Sequence, residues 1–458
     1  MQPGFLHRWS REFWAQLGIA SPMALTIFAQ IGMLTTDTLM VSELGVVSLG
    51  AIGLASGAFY TLLLACTGLL SMATIRAAYE HGKQNKDGVR HCVQQGLWLG
   101  LLMTIPVVLI GFNLGHILTW LGQEPAIVDE VHNYMHVAIW SAPAQIFFSQ
   151  LRGFVSTLAR GQLIAVIMIL GLFLNAFLNY LLIFGHWGFP ELGIAGAGLA
   201  TSIISWVMLA ALIIQIVQDK ALKPYHLFKN FNKIDWHEIG GVLKQGWPVS
   251  AANIAENSLF LAVNLAMGVI GAAALAASNI VINYMTVVFI IPIALLYTSS
   301  YRVAFFMGQQ NLSMARLAGI VSLSMGWIYM GIMTLVTIIW TKEIIAAYLK
   351  PDQQDAAMVF AMAYEFLLIC TIFQVLDATQ AIAGGALRGI RDTTAAFIAA
   401  TIGYWVVGYP LGWFLCFVLD VGPAGIWWGL ALGIATAAIL LVARYYHKTG
   451  RLVVQALG

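Results

Sequence analysis

The stretch Gln374 to Asp392, QVLDATQAIAGGALRGIRD, places a carboxylate, Asp377, inside a long apolar run and closes on two arginines, Arg388 and Arg391. The run, Ala356 to Ala386, is long enough to cross a bilayer, which takes about 20 helical residues. A carboxylate at such depth costs roughly 2.5–3.5 kcal/mol on insertion scales, so it persists where it faces a wet cavity or a partner. Asp377 is therefore read first as a functional group; the alternative is an Asp that only glues neighbouring helices together. Arg388 and Arg391 lie just past the apolar run and mark that end as cytoplasmic by the positive-inside rule.

The same reading extends over the whole chain. Of 458 residues 60% are hydrophobic and 9% charged, with 15 Trp and 24 Phe, whereas a soluble domain is about a quarter charged. Apolar runs fall at 15–40, 47–72, 93–120, 128–150, 162–184 and 193–217, and again at 245–269, 272–298, 317–341, 356–386, 394–418 and 423–443. The fold class expected is all-α integral membrane, with twelve transmembrane helices. With the first terminus cytoplasmic, every Lys and Arg except Lys342 and Lys350 falls on the inside. So lopsided a split sets both termini in the cytoplasm.

The two sets of runs repeat one another. Arg76, Gly82, Asn85 and Arg90 recur as Arg302, Gly308, Asn311 and Arg316, each 226 positions on; Gly45 pairs with Gly271 and Pro22 with Pro248 at the same offset. Arg160-Gly161 answers Arg388-Gly389, and Gly193 and Gly196 answer Gly422 and Gly425, with a drift of at most three residues. A sustained register of this kind is an internal repeat. The expected division is a six-helix bundle over 1–218, a polar cytoplasmic connection over 219–243 and a second six-helix bundle over 244–458. An even number of spans per half makes the repeats parallel, related by a pseudo-two-fold axis along the membrane normal; substrate sites then sit at the repeat interface and access alternates by rocking.

Three carboxylates lie deep in these runs: Asp37 in the first, Glu256 in the seventh and Asp377 in the tenth. Glu256 shares a helical stripe with Asn253 and Asn257. Asn175 and Asn179, one turn apart, and Thr201 are candidates for an oxygen-rich cluster with Asp37, although amides between membrane helices are also ordinary packing glue. Such hard oxygen groups suit a small cation or a proton. Glu365, nearer the outer end of the tenth run, is expected to be solvent-exposed. Pro22 and Pro248, some turns before the carboxylates of the first and seventh spans, are expected helix kinks. His132 and His136 have metal-ligand spacing but no accompanying carboxylate set.

Other classes are disfavoured. No HExxH, GxSxG or Walker loop is present, so no catalytic residues are assigned and neither an intramembrane hydrolase nor an ATP-driven pump is expected. Cys66, Cys92, Cys370 and Cys416 are scattered singly, without a CxxC, and are read as small packing residues. The net charge of +2 suggests no nucleic-acid partner. The N-terminus mixes His7, Arg8 and Arg11 with Phe5, Trp9, Phe13 and Trp14, which suits an interfacial helix and not a cleaved signal peptide.

Taken together, TDTLMVSELG with Asp37, the repeated Arg-to-Arg segments, LNAFLNYLLIFG followed by ELGIAGAGLATS, GWPVSAANIAE, and LDATQAIAGGALRGIRDTTAAF followed by YWVVGYPLGW resemble the multidrug and toxic compound extrusion (MATE) family, in its bacterial NorM-like branch. The resemblance covers essentially the whole chain. It implies two six-helix bundles around a V-shaped central cleft, exporting cationic or amphipathic drugs against inflow of Na⁺ or H⁺, with no cofactor beyond the coupling ion, in the bacterial inner membrane and as a monomer. It also implies that the second-half cation site, including any Na⁺ ligands, falls on Glu256 and Asp377, and the first-half acidic site on Asp37 with Asn175, Asn179 and Thr201. Some NorM-like members carry a tyrosine one turn before the tenth-helix carboxylate, where this chain has Phe373, one oxygen ligand fewer. The nearest alternative is a lipid-linked precursor flippase of the same superfamily, which is expected to need a strongly cationic cavity.

Overall fold

The computed structural model describes residues 4–231, 233–349 and 355–457; Lys350, counted above on the outer side, lies outside them. The described chain is helical, with no strand in it. The first half forms α1 (Phe5–Ser42), α2 (Val46–Gly82), α3 (Lys86–Phe112), the short α4 (Leu114–Trp120), α5 (Pro125–Ala138), α6 (Ser141–Thr157), α7 (Gly161–Phe184) and α8 (Ile194–Gln218). The second forms α9 (Trp236–Ile270), α10 (Ala272–Val288), α11 (Ile290–Gly308), α12 (Leu312–Ile339), the short α13 (Thr341–Tyr348) and α14 (Ala356–Gly389). Then α15 (Thr393–Thr401) runs through a π-helical stretch, Ile402–Gly408, into α16 (Tyr409–Phe417), and α17 (Ala424–Leu457) closes the chain.

Eleven of these segments are long and apolar enough to cross a membrane, which makes this a multi-pass membrane protein. The expected fourth span is not one helix but two end to end, α5 and α6, parted at Ile139 and Trp140. The expected eighth is α10 with α11, parted at Phe289. A proline follows each break by three residues or so: Pro143 and Pro292 have no N–H to return to the carbonyls of Ile139 and Val288, which removes one helical hydrogen bond at each place. Pro22 and Pro248, by contrast, lie inside continuous helices, α1 and α9.

The backbone divides into two compact units. One is Pro22–Ser250; the other is the chain up to Ser21 together with everything from Ala251 onward. The dividing points fall inside α1 and α9, beside the paired prolines. The polar connection 219–243 belongs to the first unit and is tied down there. Gln94 donates to the carbonyls of Leu227 and Lys229 at 2.7 and 2.9 Å, Gln95 to that of Lys233, and the Trp98 indole to that of Phe231.

Because lipid tails are as apolar as leucine, burial alone does not hold such helices together, and close packing has to. In the second unit Phe366, Phe373 and Trp427 form a stacked core. There α16 and α17 meet backbone to backbone: a Cβ placed on Gly429 would stand 2.2 Å from Gly412 Cα. In the first unit Val89, Phe148, Phe154, Met168 and Leu212 fill the interior. All four cysteines are buried and none is in a disulfide.

The repeat seen in the sequence extends to backbone detail. Gln84 and Gln310 both take positive φ (60° and 57°), and so do Gly45 and Gly271 at the turns before α2 and α10. Asn85 and Asn311 cap α3 and α12 with the same bond, Oδ1 accepting from the N–H three residues on at 3.0 and 3.1 Å, which satisfies a helix N–H that has no partner within its own helix. Ion pairs repeat as well. Arg302 grips Glu12 through two nitrogens, Nε to Oε1 at 2.8 Å, and Arg76 meets Glu238 at 2.7 Å while its Nε donates to Gln245.

Candidate functional site

Each unit holds one buried acidic site. In the first unit, α1 carries Asp37 into contact with α7 and α8. Its Oδ1 accepts from Asn179 Nδ2 at 2.6 Å and from Asn175 Nδ2 at 3.1 Å, and its Oδ2 from the Thr201 hydroxyl at 3.1 Å. The spacing of four residues puts the two asparagines on one face of α7, so both reach the same oxygen. Asp37 is 5% exposed, and Asn175 and Asn179 are fully buried. Both amides turn their N–H groups to Asp37, leaving the carbonyl oxygens of Asn175 and Asn179 buried without a hydrogen-bond partner. Tyr134 of α5 lies against the same cluster, within reach of Asp37 and Thr201. The result is an apolar surround with one carboxylate and two unused amide oxygens, a donor set that suits a proton or a small hard cation.

In the second unit, Asp377 of α14 is 7% exposed and Glu256 of α9 half-buried, and their charges interact. The π-helical stretch supports this site. Tyr404 from it is buried beside both carboxylates, and the Trp405 indole donates at 3.1 Å to the carbonyl of Ala255, the residue before Glu256. Single π turns inside helices recur at functional sites because they re-aim side chains. Next to Asp377, the Gln374 amide donates to Thr334 and leaves its own oxygen buried without a partner. Phe373 is buried and stacked on Trp427, with ring centroids 6.3 Å apart.

The predicted side chains thus gather into two sets, one per unit, and two details of the prediction change. Asn257 is exposed and its amide returns to the carbonyl of Asn253, so it does not join Glu256. Arg388, placed above just past the apolar run, lies in the last turn of α14 and donates to Asn253 Oδ1 at 3.1 Å, with its charge felt by Glu256. Eleven residues separate it from Asp377, three helical turns, so both project from one face. That spacing was present in the sequence as a signal. Glu365 is exposed, as expected. The His132 and His136 rings lie 4.1 Å apart, but no group of three or more His, Cys, Asp or Glu suited to a metal ion occurs among the described residues.

Comparison with known proteins identifies the class and then the family. The fold is that of solved polytopic transporters. It superposes on a eukaryotic MATE transporter, AtDTX14, with a TM-score of 0.85 at 18% identity, covering 97% of this chain and 99% of that one. It also superposes on a mutant of the Vibrio cholerae MATE transporter VcmN, with a TM-score of 0.88 at 15% identity, covering 96% and 98%. The MatE family model matches residues 22–181 and 248–414. A protein of Rhizobium meliloti named "Probable multidrug resistance protein NorM" is 35% identical over 443 residues, 97% of this chain and 95% of its own length. Multidrug resistance protein NorM of Burkholderia vietnamiensis is 34% identical over 437 residues, covering 95% and 94%. The chain belongs to the MATE family.

Proposed function

We propose that this protein is a secondary active multidrug efflux antiporter of the bacterial inner membrane, with both termini cytoplasmic, that exports organic cations and amphipathic drugs in exchange for Na⁺ or H⁺ by alternating access. The observation that carries the reading is the placement of Asp37 and Asp377, each almost completely buried inside an apolar helix, in a chain whose relatives are named for multidrug resistance. A buried carboxylate is costly unless a cation or proton neutralises it. Such a group therefore exchanges one positive partner for another more readily than it stands bare.

In this mechanism a cationic drug and the coupling ion compete for the same carboxylates. Glu256 and Asp377 hold the cargo in the state open to the cytoplasm; the ion arriving from outside takes its place, and the cargo leaves. The ion is substrate here. Na⁺ would be held by Glu256 and Asp377, or in the first unit by Asp37 with the free oxygens of Asn175 and Asn179. A proton needs only the carboxylates. The lysine-poor outer side supports cytoplasmic termini.

The test is drug susceptibility in an efflux-deficient bacterial host. Asp37→Asn, Glu256→Gln and Asp377→Asn should each abolish the resistance that the parent confers while the protein still reaches the membrane at the parental level. Full resistance in Asp377→Asn would remove that residue from the mechanism.

A further inference from the structure

Arg388 has no part in the mechanism above, yet its charge is felt by Glu256 of the acidic pair. The guanidinium donates to Asn253 Oδ1 at 3.1 Å, and Asn253 stands three residues before Glu256 on α9, so the bond draws Arg388 toward that carboxylate. Glu256 interacts electrostatically with both Arg388 and Asp377, so an acid, an acid and a base form one electrostatic group. Tyr297 and Tyr301 of α11 also act on Arg388 electrostatically. An arginine near a helix end is ordinarily occupied by the last carbonyls or by water. This one reaches sideways to the helix that carries the other half of the site.

We propose that Arg388 is a specificity-determining residue: a counter-cation fixed beside Glu256 that leaves the linked pair of Glu256 and Asp377 with one uncompensated negative charge, so that the site prefers monovalent over divalent cargo of the same body. The inference rests on the cation-binding reading given under Proposed function. Its chemistry is charge counting. Two ionised carboxylates carry two negative charges; a guanidinium stays protonated at any pH the protein meets and cancels one of them. A single positive charge then neutralises the set, whereas a second meets Arg388 in an interior where like charges repel strongly.

Ethidium and propidium share a phenanthridinium ring system and carry one and two positive charges, which isolates the variable. Their binding to the purified full-length transporter in detergent is measured by fluorescence anisotropy. The parent should bind ethidium at least about tenfold tighter than propidium, Arg388→Gln should bring the two within about twofold, and Arg388→Lys should keep the parental ratio. Equal affinities in the parent would overturn the proposal whatever the variants do, and so would an unchanged ratio in Arg388→Gln. A double Glu256→Gln, Asp377→Asn variant separates this inference from the reading beneath it. Ethidium binding lost in that variant with a ratio indifferent to Arg388 defeats the inference alone; ethidium binding that survives it defeats the site reading and the inference together.

Discussion

Glu12 binds Arg302 in the register in which Glu238 binds Arg76: the acids stand 226 residues apart, and so do the bases. Each acid sits near the start of a helix, α1 or α9, that begins in one compact unit and ends in the other. Gln16, one turn after Glu12, strengthens the first pair by bonding to Glu12, to the Ala318 carbonyl and to Ser322.

The two pairs differ in burial, and that difference predicts their weight. Glu12 is 2% exposed and Glu238 20%. Removing one partner of a buried pair strands the other charge and costs about 3–5 kcal/mol, and the cost falls as the pair gains access to water, as it does at Glu238. Glu12→Gln should therefore lower the thermal unfolding midpoint in detergent much further than Glu238→Gln. Intrinsic tryptophan fluorescence against temperature is the measurement, and equal losses would contradict the assignment.

Asn179 makes the shortest bond to Asp37, 2.6 Å. Hydrogen bonds to charged groups contribute about 1.5–3 kcal/mol, so Asn179→Ala should destabilise the protein by that order and weaken efflux more than Thr201→Ala does. The check is a pair of unfolding curves with dye efflux on the same preparations.

Asp392, between α14 and α15, meets Arg444 Nε and Lys448 Nζ, each at 2.9 Å. Burial pushes its carboxyl up, but the bonds and charges of Lys448 and Arg444 outweigh this and hold it below the ordinary carboxylate value. A depressed carboxylate stabilises the fold above its unfolded pKa, about 3.9, and loses that contribution as pH falls through the folded value. Asp392→Asn should thus be less stable than the parent at pH 7, by about 1 kcal/mol, because the basic partners Arg444 and Lys448 are themselves partly exposed. The difference should shrink below about pH 4 and with added salt. Unfolding midpoints at pH 7 and at about pH 3, at low and high salt, test it.

Gly429 marks the point where α17 touches α16 at backbone distance. Gly429→Val should force the two helices apart at a cost of about 1–3 kcal/mol, whereas Gly331→Val, on an open stretch of α12 with nothing within 4 Å, should leave the unfolding midpoint near the parental value. Similar midpoints for the two variants would contradict the close-packing account.

Much of this was legible in the chain. Apolar length located the crossings, and the offset of 226 found a repeat that reaches down to the caps at Asn85 and Asn311. The Asp37 cluster was readable because Asn175 and Asn179 share a helical face. The breaks at Trp140 and Phe289 were hidden because an apolar run looks the same whether its helix is continuous or not, and the nearby Pro143 and Pro292 do not mark them, since Pro22 and Pro248 lie inside continuous helices. The contact of Arg388 was hidden for a physical reason: counting positive charges treats every arginine near a span end as solvated, and only its bond to Asn253 ties it to α9. Hydropathy also carries no trace of the π-helical stretch at Ile402–Gly408, since it depends on how Gly403 and Gly408 pack on α17.

The central claim, exchange of cationic cargo for an incoming ion at buried carboxylates, is tested most directly by ethidium efflux from proteoliposomes under an imposed Na⁺ gradient and, separately, an imposed pH gradient. At least one gradient should drive efflux in the parent, and neither should in Asp377→Asn. Efflux from the parent that ignores both gradients, or that continues undiminished in Asp377→Asn, would contradict it.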